Sequence, residues 1–298
     1  MPSSASLRPL ESHARRRASA GVVSPNGWQS RDGSGARPGL STCVVLKHAA
    51  GGLYTYVEFG LVVSAFLPVM AVSSALHRGD PTQRIPGRWM RRLGRTSSYL
   101  TPLWKFDIEG KGPSDIDRRA YVVIANHESQ ADPFLLSWLP WDMRWVAKEE
   151  LFRVPLTGWA MRFSGDIPLR RGEGDSVRQM MAECERALAA GISVMMFPEG
   201  TRSDDGSLRA FRDGAFRLAI RAGVPILPVA LAGTREMRPK HSKWFGRAHA
   251  CAKVLDPIPT AGLGDDDVAT LRDRSRDAIA AVLPELRTRY GATARSRG

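Results

Sequence analysis

The sequence has few cysteines, and their spacing gives them no obvious structural role. Cys43, Cys184 and Cys251 stand far apart, with no CxxC pair and no cluster of cysteine and histidine. This argues against a zinc site and against a disulfide framework, and it fits a reducing compartment. No internal repeat is visible. We therefore expect a folded chain that holds no metal.

Acidic residues are also few relative to basic ones. The 298 residues contain 43 Lys and Arg against 30 Asp and Glu, a formal net charge of +13. Such an excess favours an anionic partner, which by charge alone is nucleic acid, a lipid surface or a phosphorylated substrate. Length and a hydrophobic content of 43% allow one catalytic domain of about 200 residues with appendages.

Both ends of the chain lack the periodic apolar positions of a folded element. Residues 1–42 are rich in Ser, Gly, Arg and Pro, which predicts a disordered basic tail. The run Arg15-Arg16-Arg17 fits either a targeting presequence or an upstream extension of the coding region. Residues 291–298 are predicted to be a second, polar tail.

A long apolar run follows the first tail. Residues 60–76 carry no charge, and extending the run back to Leu53 admits only Glu58, giving about the 20 residues that cross a bilayer. Because strongly basic flanking follows the run, the sequence favours a span or a re-entrant hairpin, which Pro68 makes possible, with a buried core helix as the alternative. Residues 43–100 are thus predicted to be a membrane anchor with a basic juxtamembrane segment.

Arginines crowd the segment after the apolar run. By the positive-inside rule they place its C-terminal side in the cytoplasm, and they suit anionic lipid. The residues concerned are Arg78, Arg84, Arg88, Arg91, Arg92 and Arg95.

Beyond Leu103, short apolar strands alternate with helical patterns. This predicts an α/β fold for residues 101–290, with helices flanking a mixed, largely parallel sheet. The candidate strands are residues 121–125, 145–147, 167–169, 193–197, 226–231 and 250–255.

Two helices of this region are readable from the sequence. Asp175 is placed to cap a helix whose apolar positions, from Val177 through Cys184 to Leu188, recur on one core-facing side. A closing helix is predicted over residues 266–283, with Pro284 disturbing its end.

The most informative stretch is residues 121–136, YVVIANHESQADPFLL. A buried-strand pattern stops before His127, and Asp132 opens an apolar helix. Five residues apart, the two would not share one helical face, but a turn brings them together as a His-Asp dyad. Asp132 would then fix the tautomer of a His127 general base. The alternatives are a plain helix cap at Asp132, a surface histidine, and Ser129 as a nucleophile, although no GxSxG surrounds that serine.

Three further stretches carry charge at strand ends. Residues 193–203 read SVMMFPEGTRS, an apolar strand running into a turn with Glu199, Thr201 and Arg202. Residues 165–171 read GDIPLRR, and residues 211–216 read FRDGAF. Each alone is ordinary surface charge. Together they sit where α/β folds gather ligands, and arginine suits phosphate.

These stretches resemble the motifs of the glycerolipid acyltransferase family. Residues 126–132, NHESQAD, look like its NHxxxxD motif, and residues 197–203 match its FPEGTRS motif without a difference. Residues 165–171 and residues 224–229, VPILPV, resemble the second and fourth blocks in the same order. The likeness covers roughly residues 105–257 and is specific because four ordered blocks occur together.

The resemblance implies a 1-acylglycerol-3-phosphate acyltransferase or a close relative, giving phosphatidic acid. It assigns His127 as the base and Asp132 as its orienter. The acceptor site would be formed by Arg171, Glu199, Gly200, Thr201, Arg202 and Arg212. Arg170 departs from the acidic residue common before the final Arg of the second block, and Arg212 replaces a frequent Lys. Both departures keep or add positive charge, which suits phosphate binding.

The implied reaction is a single displacement in which the acceptor hydroxyl, deprotonated by His127, attacks the thioester carbonyl. No cofactor is expected beyond the donor substrate, acyl-CoA or acyl-carrier protein. The partners are membrane lipid and lysophospholipid, at a membrane with the catalytic domain facing the cytoplasm. Acylation of another lysolipid such as lyso-ornithine lipid, or hydrolysis by a lipid thioesterase, remains the alternative. A nucleic-acid-binding protein would leave the motifs unexplained.

Overall fold

The most buried segments of the molecule are the two central strands that the sequence predicts. In a computed structural model, the described residues are 42–290 except 204, 240, 241 and 243, with side chains from residue 51 onward. Within them, Val122, Val123 and Ile124 have no exposed surface, and the strand at residues 226–232 is buried throughout. The predicted tails, residues 1–42 and 291–298, lie outside the described residues except for Thr42, which begins the first helix.

Seven helices and seven strands organise the described residues, together with three short 3-10 turns. The α-helices are α1 (Thr42–Leu76), α2 (Arg84–Leu100), α3 (Asp132–Leu136), α4 (Thr157–Phe163), α5 (Gly174–Ala189), α6 (Gly214–Ala222) and α7 (Val268–Tyr290). The strands are β1 (Trp104–Glu109), β2 (Val122–Ala125), β3 (Met143–Lys148), β4 (Ile167–Leu169), β5 (Ser193–Met196), β6 (Ile226–Ala232) and β7 (Ala248–Val254).

The strands form one mixed, largely parallel sheet in the order β1-β7-β6-β2-β5-β3-β4. Strands β2 to β6 run in the same direction, whereas β7 is antiparallel to β6 and carries β1 parallel to itself. The α/β prediction is therefore confirmed. Because β2 lies between β5 and β6, the loops that follow β2 and β5 leave the same edge of the sheet side by side.

Alternate residues of β2 face the two sides of the sheet. Val122 and Ile124 pack into a core with α5, α6 and α7, while Val123 and Ala125 face the other core, which contains α3 and Trp141. The sheet thus has helices on both faces, as expected for strands that read as continuous apolar runs.

Helix α1 is a single helix, so Pro68 does not divide it into the two arms of a hairpin. Proline is inside the helix, which continues from Thr42 to Leu76 before the chain turns into α2. The interior of the α1–α2–α4 cluster includes Val63, Met70 and Leu93. Leu61 and Leu76 are 67% and 77% exposed on α1. Among the described residues, Gly51–Leu76 is the one helix long and apolar enough to cross a membrane, by length and composition only.

The arginines of α2 have partners that the sequence did not reveal. Arg84 and Arg88 lie 3.5 and 2.9 Å from the Asp142 carboxylate, and Arg91 also pairs with it. Arg95 donates to the carbonyl oxygen of Ser137. These side chains therefore attach α2 to the loop between α3 and β3. The sequence alone predicts that their charges suit anionic lipid, and it does not predict these contacts.

Three local predictions need correction. Helix α5 begins at Gly174 with Glu173 at the cap position and no side-chain cap, so Asp175 lies inside the first turn and pairs with Arg178. Strand β1 is absent from the strands predicted from the sequence, because its Lys, Asp and Glu at alternate positions are typical of a surface loop. Pro284 does not end the closing helix, since α7 runs on to Tyr290.

Candidate active site

The turn that carries the candidate base begins where β2 ends. There the Asn126 side chain donates to the carbonyl oxygen of Leu231 at 2.9 Å and accepts the Leu231 N–H at 2.7 Å. An amide side chain offers one donor and one acceptor, so it replaces a backbone pair of the ladder. Asn126 thus ties the first residue of the turn to β6 and releases the following residue, His127, from the sheet.

His127 and Asp132 form the pair that their spacing predicts. His127 Nδ1 lies 2.7 Å from Asp132 Oδ2, and the Asp132 side chain has no exposed surface. Since a carboxylate can only accept, Nδ1 carries the hydrogen and Nε2 is left with the lone pair. The imidazole is therefore held in the tautomer that a general base needs.

Asp132 also holds the turn itself. Its carboxylate accepts the backbone N–H groups of Glu128 at 3.0 Å and of Ser129 at 3.1 Å. The cap of α3 is Ala131, without a side-chain hydrogen bond, so Asp132 does not cap the helix. Its hydrogen bonds point back into the turn, and the same oxygen serves His127 and Glu128.

The loop after β5 lies against the ring and backbone of His127. Phe197 stacks on the imidazole, with ring centroids 4.2 Å apart and planes at 25°. Glu199 is 4% exposed, and its two oxygens accept the backbone N–H groups of His127 at 2.7 Å and Arg209 at 2.9 Å. Burial raises the pKa of Glu199, and these hydrogen bonds lower it. Glu199 therefore shapes the site by joining two loops.

Gly200 permits a close crossing of the next loop. Its φ is +69°, and a Cβ built there would lie 2.8 Å from Nε of Arg212. The Arg212 N–H donates to the carbonyl oxygen of Pro198 at 2.9 Å. Only glycine accepts both the left-handed backbone and the guanidinium lying over it. The FRDG segment is thus fixed against the Pro-Glu-Gly turn.

Two of the predicted phosphate-binding arginines are electrostatically coupled. The pKa of Arg171 lies below its ordinary value, because partial desolvation and then the positive charge of Arg212 disfavour the charged form. Thr201 and Arg202 are half-buried in the loop that follows β5. The two neighbouring positive charges of Arg171 and Arg212 suit a bound anion that would neutralise both.

Two other residues have roles different from those the sequence suggested. Arg170 is bound to Glu149 at 2.6 Å and to Glu173 at 2.7 Å, so its charge is engaged by carboxylates. Ser129 is fully buried, and its hydroxyl donates to the carbonyl oxygen of Arg238 at 3.1 Å while accepting the Ala131 N–H at 3.2 Å. The Ser129 hydroxyl therefore stabilises the turn through both hydrogen bonds, and this disfavours a role as nucleophile.

Sequence reasoning missed the residues that support the dyad from outside its turn. The stacking of Phe197 and the partners of Glu199 depend on which strand ends meet, and the ion pair of Glu128 with Arg287 joins residues 159 positions apart. Among the described residues, no group of three or more His, Cys, Asp or Glu is arranged to hold a metal ion.

The part of the chain that carries this dyad and the Pro-Glu-Gly-Thr-Arg loop is also similar to known proteins. Residues 107–232 match the acyltransferase family. The chain belongs to that family. Its relatives include 1-acyl-sn-glycerol-3-phosphate acyltransferase alpha of Homo sapiens, 32% identical over 226 residues that make up 75% of this chain and 78% of the human protein.

Two further proteins extend the comparison. A chloroplastic 1-acyl-sn-glycerol-3-phosphate acyltransferase of Arabidopsis thaliana is 35% identical over 238 residues, 80% of this chain and 65% of its own length. The crystal structure of the 1-acyl-sn-glycerophosphate acyltransferase PlsC from Thermotoga maritima superposes with a TM-score of 0.63 at 22% identity, covering 79% of this chain and 97% of that one. This superposition shows that the two proteins share a fold.

Proposed function

We propose that this enzyme transfers a fatty acyl group from a thioester to the free hydroxyl of 1-acylglycerol-3-phosphate, giving phosphatidic acid. The observation that carries the proposal is the His127–Asp132 pair, 2.7 Å apart, at the edge of the sheet where Arg171 and Arg212 also lie. The names of the relatives from Homo sapiens and Arabidopsis thaliana support this acceptor. The donor is acyl-CoA or acyl-carrier protein.

The proposed chemistry needs no covalent enzyme intermediate. His127 Nε2 takes the proton of the acceptor hydroxyl as its oxygen forms a bond to the thioester carbonyl carbon. Asp132 stabilises the resulting imidazolium through Nδ1. As the carbon–sulfur bond breaks, the imidazolium returns its proton to the departing thiolate, so the enzyme ends unchanged. The stack on Phe197 keeps the imidazole plane fixed during both transfers.

Acceptor recognition is assigned to the positive charge beside the dyad. The positive charge of Arg212 disfavours the charged form of Arg171, and a phosphate bound between the two side chains would offset that repulsion. Arg202, from the loop after β5, would add a planar fork suited to two phosphate oxygens. Glu199 and Gly200 contribute by holding this loop in place, and Thr201 lies between them and Arg202.

The enzyme is proposed to act at a membrane, with its catalytic domain in the cytoplasm, where acyl donors are available. Helix α1 supports the membrane location, since its candidate span of 26 residues keeps an exposed apolar side. This location also matches the chemistry, because both the acceptor and the product are lipids that reside in the bilayer.

The test is an assay of the full chain in mixed micelles that crosses lysophosphatidate and other lysolipids with acyl-CoA and acyl-carrier protein. His127→Ala should reduce kcat by about two to four orders of magnitude, the scale of losing a general base. The control is His249→Ala, because His249 forms a second His-Asp pair, 2.8 Å from Asp107, at the β1–β7 edge. If a folded His127→Ala protein turned over like His249→Ala, or if free fatty acid replaced phosphatidic acid as product, the proposal would be refuted.

A further inference from the structure

The last turn of α7 reaches the catalytic turn. Arg287 Nη2 and Nε lie 2.9 and 3.3 Å from Oε1 of Glu128, the residue that follows His127. The Glu128 side chain is 7% exposed and that of Arg287 is 34% exposed, so the carboxylate is buried and the guanidinium covers it from the solvent side. This contact exists only because α7 continues past Pro284 to Tyr290.

Glu128 is connected to the dyad through its backbone. Its N–H donates to Asp132 Oδ2 at 3.0 Å, and the same oxygen receives Nδ1 of His127 at 2.7 Å. If Glu128 is displaced, its N–H moves too. This N–H is one of the donors to Asp132 Oδ2, the oxygen that orients His127. Arg287 therefore holds the side chain of the residue that directly follows the base and whose N–H contacts this shared acceptor.

The charges around Glu128 make its partner necessary. Burial raises the pKa of Glu128 to about 7, Arg287 opposes that rise, and the carboxylates of Asp132 and Glu236 add to it. Without Arg287, a buried carboxylate would face Asp132 without compensation, and it would have to take up a proton or move toward water. Either response changes the environment of Asp132.

A second arginine in the same turn of α7 forms ion pairs that do not involve the catalytic turn. Arg289 lies 2.9 Å from Glu109 of β1 and 3.3 Å from Glu285, and its side chain is 43% exposed. These partners are on the far edge strand of the sheet and in α7 itself. Arg289 therefore provides a matched control for an arginine that fastens α7 without a contact to the catalytic turn.

We infer that Arg287 is a positioning residue for acyl transfer, which acts through Glu128 to hold the turn that carries His127 and Asp132. The inference rests on the proposed function for its kinetic consequences. It extends the functional site to α7, the last helix. It also gives Glu128 a role in positioning the catalytic turn, which the spacing of His127 and Asp132 does not predict.

The kinetic test uses the full chain in micelles and compares Arg287→Met with Arg289→Met. We expect Arg287→Met to lower kcat by about ten- to a hundredfold with little change in KM for lysophosphatidate, because a misplacement of about 1 Å costs this much. Arg289→Met should stay within about twofold, as expected for an exposed pair. Arg287→Lys should keep part of the activity.

Glu128 supplies two readouts that a merely structural ion pair would not move. The double variant Glu128→Gln with Arg287→Met should recover much of the loss, because a neutral amide leaves no buried charge. The ratio of wild-type to Arg287→Met kcat should also grow as pH rises above about 7, since Arg287 holds the pKa of Glu128 down and the unpaired carboxyl therefore loses its proton only at higher pH. A ratio independent of pH, with no recovery in the double variant, would overturn the inference.

A third measurement separates this inference from the proposed function. Hydrogen exchange of residues 121–136 in the unliganded protein should be faster in Arg287→Met than in Arg289→Met, whichever substrate the enzyme prefers. If wild type proved inactive on every acceptor, the proposed function would fail while faster exchange still supported the positioning role. Equal exchange and equal kcat in the two variants would overturn the role. Should Arg287→Met unfold, Arg287→Lys and the double variant decide by the same criteria.

Discussion

Asp132→Asn isolates the carboxylate charge from the shape of the catalytic turn. In the native protein Oδ2 accepts three hydrogen bonds, from His127 Nδ1 and from the N–H groups of Glu128 and Ser129, while Oδ1 accepts a second contact from Ser129. An asparagine carbonyl in the Oδ2 position keeps those three. Its NH2 group then replaces Oδ1 and meets the Ser129 N–H as a donor facing a donor.

The expected loss in turnover follows from this geometry. The substitution removes the negative charge that stabilises the imidazolium, at a site with no exposed surface where screening by water is weak. We expect kcat to fall by about two to four orders of magnitude, or about 3 to 5 kcal/mol in the barrier. KM for the acceptor should change little, because the Asp132 side chain has no exposed surface with which to contact the acceptor.

The assay is steady-state acyl transfer with purified micellar enzyme, together with a thermal melt that confirms folding. Asparagine is a better probe than alanine because it keeps the volume and one acceptor for the turn. A folded Asp132→Asn enzyme with kcat within about threefold of wild type would refute the role of the carboxylate in orienting and stabilising His127. A parallel loss in melting temperature and kcat would instead mark Asp132 as chiefly structural.

Two further predictions concern the acceptor and the membrane. Replacing Arg171 or Arg202 by Ala should weaken saturation by lysophosphatidate more than by uncharged monoacylglycerol, and equal losses with both acceptors would contradict phosphate recognition. Glutamates at Leu61 and Val72, both exposed on α1, should release the protein from vesicles in a flotation assay, whereas Val177→Glu on α5 should not. If all three variants float like wild type, α1 is not the anchor.

The central part of the fold was predictable because its signals are local. A strand buried on both faces reads as a continuous apolar run, and Asn126 marks the point where the run stops. The approach of His127 to Asp132 also follows from a turn of fixed length. The meeting of the β2 and β5 loops required only that neighbouring parallel strands end at one edge.

What escaped prediction depends on long-range partners. Pro284 normally signals a helix end, but the packing of α7 against the sheet outweighs the loss of one helical hydrogen bond. Asp is a common helix-capping residue, but helix α5 begins one residue before Asp175, and Asp175 instead forms an ion pair with Arg178. The partner of Arg287 could not be read from the chain, because nothing local distinguishes it from Arg289.

The two sides of α1 connect the proposed anchor to the catalytic turn. On its inner side, Phe59 packs edge-to-face on Phe134 at 5.5 Å, and Phe134 lies in α3, the short helix that begins with Asp132. Its outer side leaves Leu61 and Leu76 exposed. Deleting α1 would therefore remove a contact to the catalytic helix together with the apolar surface, and loss of activity in such a truncation would not distinguish anchoring from support of the dyad. Substitutions confined to the exposed side separate the two, because they leave the Phe59–Phe134 contact in place.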